Sequence, residues 1–159
     1  MHFEGPDLHD PRITAFGMLL ESHAAVVNVV GHDLEEVSGL PLSSFGILLR
    51  LARTPGRRLR MTELAAQAAL STSGLTRLVD RLEDAGYLRR DPSSSDRRSS
   101  LAVLTDLGAE AVAKALPSHL QSLERNLGDP LGPEAIAQLT AMLATLRDCA
   151  RGRASTPGP

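Results

Sequence analysis

Residues 61–86, MTELAAQAALSTSGLTRLVDRLEDAG, hold two short helical patterns with almost no chain between them. The first, MTELAAQAAL, takes Thr62 as its cap and offers Leu64, Ala65 and Ala68 for packing. The second opens at Ser71, a good N-cap. It carries Leu75, Leu78, Val79 and Leu82 at three- and four-residue steps, which puts all four on one face. Gly86 stands where a left-handed residue ends such a helix. Thr72, Ser73, Thr76, Arg77, Asp80 and Arg81 are left on the other faces. A tight connection around Leu70, followed by a helix with small polar residues and an arginine in its first turns, is the pattern of a helix-turn-helix, one that many αα-hairpins share.

The next segment narrows the choice. Tyr87–Arg90 and Ser99–Leu104 pair as strands around the loop Asp91–Arg98, a β-wing attached to the helix pair, and Arg57–Arg60 is short enough for a small edge strand. Elsewhere the chain reads as helix. With 42% hydrophobic residues but only 3% aromatic and no Trp, the core is aliphatic, which favours helices over a sandwich of strands. Residues 12–37 repeat apolar positions from Ile13 and Phe16 to Leu34 and Val37 at helical spacing and stop at Gly39 and Pro41. A helix capped by Ser43 turns Phe45, Leu48, Leu49 and Ala52 inward and ends at Pro55-Gly56. Thr105 or Asp106 caps a long helix with Leu107, Ala111, Ala115, Leu116, Leu120, Leu123 and Leu127 as its stripe, which Pro117 should kink or divide. GDPLGP breaks the chain, and Pro133 begins a last helix with the stripe Ile136, Leu139, Leu143 and Leu146.

Charge is unevenly spread. Residues 50–98 hold eleven arginines against six acids, a local excess of +5; the whole chain carries −2, so the remainder carries −7. A basic middle between acidic ends implies an anionic partner for the middle. Duplex DNA fits. Ser71, Thr72, Ser73, Thr76 and Arg77 lie at the N-terminal end of a helix that a major groove admits. Hydroxyls and helix N–H groups there bind phosphates, and arginine reads guanine edges. Arg97 and Arg98 at a hairpin tip suit the narrow minor groove, and Ser93–Ser95 keep that tip small.

Other classes find little support. There is no Gly-x-Ser-x-Gly, no Gly-rich phosphate loop ending in Lys and no His-Glu-x-x-His, so no enzyme and no cofactor is expected. His2, His9, His23, His32 and His119 form no i,i+4 pair and have no cysteine beside them, so no metal site is expected. The lone Cys149 reads as a small buried hydrophobe near a helix end. Glu4, Asp7 and Asp10 stand where an export signal needs positive charge, and no apolar run approaches the ~18–20 residues of a membrane span. The expectation is a cytoplasmic protein with no membrane partner. A wing that serves only protein partners is the competing reading; it makes Arg98 dispensable.

The stretch LSTSGLTRLVDRLEDAGYLRRDPSSSDRRSSLAVLTDLG, preceded by RMTELAAQAAL, resembles the MarR family of bacterial winged helix-turn-helix regulators. The wing motif Asp-x-Arg stands as Asp96-Arg97-Arg98, and Leu-Thr-Asp-x-Gly as Leu104–Gly108. The resemblance covers about residues 12–148. It implies a mainly α fold with a small β-wing, a winged helix-turn-helix domain plus a helical dimerisation domain, and a homodimer acting on double-stranded DNA as a repressor. Residues 1–11 would be an N-terminal arm, 12–40 and 106–148 dimerisation helices, 41–105 the DNA-binding domain and 149–159 a disordered tail. Ser71–Ser73, Thr76 and Arg77 would face the major groove and Arg98 would enter the minor groove. Asp96 would orient the wing by pairing with a nearby arginine. A small aromatic or anionic effector would bind between the dimer helices and the winged domain, where His23, His32, Arg50 and Arg53 are the candidate contacts. Relatives that sense oxidants carry a cysteine in the first helix; this chain has none there.

Overall fold

The computed structural model describes residues 7–68, 70–92 and 100–154. In chain order these form α1 (Pro11–Ser38), α2 (Leu42–Ala52), a 3-10 turn (Pro55–Arg57), β1 (Arg58–Arg60), α3 (Met61–Ala68), α4 (Thr72–Asp84), β2 (Leu88–Pro92), β3 (Ser100–Leu104), α5 (Asp106–Leu123), a π turn (Glu124–Gly128) and α6 (Asp129–Ala154). The strands make one antiparallel sheet in the order β1-β3-β2. Helices with a small wing are what the aliphatic palette and the paired short helices imply. The chain divides between His119 and Leu120 into two compact units.

The first unit is built around one apolar cluster. Phe45, Ile47, Leu48 and Leu51 of α2 meet Leu64 of α3, the full Leu75-Leu78-Val79-Leu82 stripe of α4, Leu88 of β2, Ala102 and Leu104 of β3, and Val112 and Ala115 of α5. Each fully buried leucine contributes about 1.5–3 kcal/mol relative to exposure. α4 therefore has one face committed to the core, while Ser71, Thr72, Ser73, Thr76 and Arg77 are exposed outside it.

Several boundaries differ from the sequence reading, each for a local reason. α2 starts at Leu42 behind Pro41, whose fixed φ of −57° suits a helix entrance, and no side-chain cap forms there. α3 starts at Met61, so Thr62 lies inside it; the carboxylate of Glu63 accepts from the Arg60 N–H at 3.4 Å instead. α5 runs through Pro117 without division. Pro117 is exposed, so water can meet the carbonyl that loses its donor. Gly132, at φ 72° and ψ 166°, interrupts the last helix where GDPLGP implies a break, with Pro133 just after it. α6 continues to Ala154, past the Asp148 boundary, and Cys149 on it is exposed rather than buried. α1 corrects the membrane expectation in one respect: by length and composition it holds an 18-residue window apolar enough to cross a bilayer.

The stripe of α5 is also displaced. Its buried positions are Gly108, Val112, Ala115, His119 and Ser122, of which the expected stripe holds Ala115, whereas Leu107 and Leu120 are 51% and 55% exposed. His119 meets the ring of Phe45 edge to face at 4.9 Å, and its Nδ1 has no hydrogen-bond partner among the described residues. Burial pushes its pKa below the ordinary histidine value. The folded chain therefore resists a proton that the unfolded chain accepts, and stability should fall as pH drops below about 6.5. Thermal melts of wild type and His119→Phe between pH 8 and pH 5 should diverge, the variant losing less on acidification. Parallel curves would remove His119 as the source.

Candidate nucleic-acid interface

The N-terminal half of α4 is set by its cap. Ser71 Oγ accepts from the Gly74 N–H at 3.1 Å and lies 3.3 Å from Ser73 Oγ. Thr76 donates its hydroxyl proton to the Thr72 carbonyl at 2.8 Å, which leaves its oxygen as an acceptor toward solvent. Ser71, Thr72, Ser73, Thr76 and Arg77 are all exposed. Thr72 and Thr76, and Ser73 and Arg77, are four residues apart and form two adjacent rows, the first beside the buried stripe and the second opposite it. Continuing the rows reaches Asp80 and Arg81. Arg81 is exposed one turn beyond Arg77 and belongs to the same surface, a placement its i+4 spacing already signalled.

The wing is described up to its last strand pair, Pro92 opposite Ser100. Asp96, Arg97 and Arg98 lie outside the described residues. Register assigns the remaining arginines. Arg58, Val103 and Arg89 stand in one row across the sheet, and Leu59, Ala102 and Arg90 in the next, so they take opposite faces. Arg89 pairs with Asp91 on its face. Arg90 is on the inner face, toward α4. Its backbone N–H donates to Glu83 Oε1 at 2.8 Å, Nη1 to Glu83 Oε2 at 2.7 Å, and Nη2 to Asp80 Oδ1 at 2.6 Å. Nothing in the sequence pattern selects Arg90 over Arg89; that choice needs the strand register.

The sheet closes on α5 through a tight corner. Thr105 accepts the Gly108 N–H on Oγ1 at 3.1 Å, donates its hydroxyl proton to the Gly86 carbonyl at 2.7 Å, and donates its own N–H to the Tyr87 carbonyl at 3.1 Å. One threonine thus caps the helix and ties it to the end of α4.

The profile described as MarR family matches residues 38–99. The transcriptional regulator PecS of Dickeya dadantii is 31% identical over 144 residues, 88% of this chain and 84% of PecS. The chain belongs to the MarR family. Two solved MarR-family regulators of Streptomyces coelicolor agree along nearly the whole chain. AbsC is 33% identical with a TM-score of 0.82, covering 93% of this chain and 99% of its own. Sco3205, solved in complex with DNA, is 32% identical with a TM-score of 0.79, covering 97% and 94%.

In this MarR-family chain the four polar groups expected around an effector lie on α1 and on or at the end of α2. His23 and His32 are both exposed on α1, but nine residues at ~100° each place them on opposite sides of the helix. His32 Nε2 lies 3.9 Å from Glu36 Oε1. Arg50 is half-buried and turns back to its own helix, donating from Nη1 to the Gly46 carbonyl at 2.7 Å, and burial lowers its pKa. Arg53 is exposed at the end of α2.

Proposed function

We propose that this MarR-family regulator is a homodimeric repressor that reads a pseudo-palindromic duplex with α4, holds the flanking minor groove with Arg97 and Arg98, and is released by a small aromatic or anionic effector. The observation that carries the DNA reading is the divided surface of α4. Its apolar stripe is consumed by the core, while Ser71, Thr72, Ser73, Thr76 and Arg77 face solvent together beside the wing. Dimerisation is supported by apolar surface that a lone chain leaves uncovered, Phe16 and Leu20 on α1 and Met142 and Leu146 on α6, each more than half exposed. An α1 that is apolar on several sides suits a helix packed between partners. The half-sites would then lie about one helical turn, ~34 Å, apart.

The test is a selection of purified protein against random duplexes at ~0.15 M salt. Enrichment of two inverted half-sites supports the reading, and a folded protein that enriches nothing overturns it. On the selected duplex, Arg98→Ala should weaken binding for all sequences alike and reduce the salt slope by about 1, whereas Arg77→Ala should relax preference at particular base pairs, about 1–3 kcal/mol each. A panel of aromatic acids added to the complex tests the effector, with dissociation as the expected result.

A further inference from the structure

We propose that Arg90 is a positioning residue of the DNA interface, a clamp that sets the wing relative to α4. The inference rests on the DNA-binding reading above. Arg90 is the charged residue on the inward face of β2, between Leu88 and Pro92, while its neighbours Arg89 and Asp91 pair with each other on the outer face. Both oxygens of Glu83 are engaged by it, one by the backbone amide and one by the guanidinium, so the strand can neither slide along α4 nor rotate away without breaking a contact. The second arm of the fork bonds Asp80 and reaches the Thr76 carbonyl at 3.5 Å, which ties it to the rows of α4 that face solvent. Arginine suits this task because its planar fork fixes direction as well as charge.

The clamp has little to do with stability. Its members are all at least 28% exposed, and ion pairs of that exposure contribute little to folding. What it adds is geometry: α4 and the arginines of the wing have to reach two grooves of one duplex at once, which requires a fixed angle between them. It also neutralises Asp80, a carboxylate that would otherwise face phosphate from within the recognition surface.

The experiment measures anisotropy of the selected duplex with wild type, Arg90→Met, Arg98→Ala and the double variant, after circular dichroism confirms helical content. Arg98→Ala should weaken wild type by about tenfold or more. In the Arg90→Met background the same change should cost less than about threefold, because the wing is already out of place. A purely structural or electrostatic role leaves the two losses additive, and additivity overturns the proposal. So does Arg90→Met binding as well as wild type. Should Arg90→Met fail to fold, Asp80→Asn with Glu83→Gln unloads the same clamp from the helix side and must show the same loss of coupling. A wild type that binds no duplex sinks the DNA reading itself, and an Arg98→Ala that is silent in wild type removes the wing from it; additivity in a binding protein sinks only the clamp.

Discussion

Gly108→Ala should destabilise the chain by roughly 3 kcal/mol or more, the upper end of what overpacking a closed site costs, and lower its melting temperature by roughly 6–12 °C. Gly108 is buried in the first turn of α5, against the start of β2. A methyl group there would overlap the Tyr87 carbonyl oxygen and lie 2.9 Å from the Tyr87 carbonyl carbon and 2.7 Å from Leu104 Cδ1. Leu104 is a core residue and can yield little. The carbonyl cannot retreat either, because the Thr105 N–H holds it and the Thr105 hydroxyl holds the carbonyl before it. The helix would have to lift from the wing, opening the corner that joins α4, the sheet and α5. Gly152→Ala is the control, since a methyl group there meets nothing within 4 Å and helix propensity alone should make the change neutral or mildly stabilising. Equal melting curves for the two variants would show that the corner is not closely packed.

The same corner shows what a sequence does and does not reveal. Leu104, Thr105 and Gly108 are recognisable as a pattern, but the reason for the glycine is a carbonyl twenty-one residues earlier in the chain, which no local rule contains. α4 is the opposite case. Its cap Ser71, its stripe from Leu75 to Leu82 and the positive φ of Gly86 all obey rules internal to one helix, and each is found where the spacing places it. α5 falls between. Leucines at Leu107 and Leu120 suggest a buried face, yet the buried row is Val112, Ala115, His119 and Ser122, with His119 set edge to face against Phe45 of α2. The spacing of three, four and three that joins those residues was present in the sequence; leucine outweighed it. Arg90 was legible only as one of two adjacent arginines, and its role needs strand register and helix rotation together.

Leu146→Glu should convert the proposed dimer to monomers and weaken binding to the intact two-half-site duplex by about 10²–10⁴, more than the loss of any one base contact. Leu146 is 57% exposed in a single chain, with Met142 one turn before it equally so, and Phe16 on α1 is 62% exposed. A charge at Leu146 disturbs little within one chain, because the side chain has so few neighbours there; its cost falls on whatever covers it in the assembly, where an unpaired carboxylate must be desolvated. The affinity loss is larger than a side-chain contact because the second half-site is bound at the high effective concentration set by the first, and a monomer forfeits that gain entirely. Phe16→Glu tests α1 independently. Sedimentation should give a monomer for each variant with helical circular dichroism retained, and affinity for a single half-site should match wild type. A variant that stays dimeric places the interface elsewhere. A monomer that still binds the full duplex as tightly as wild type shows that the two half-sites are not read together, and the paired-domain geometry then has no part in recognition.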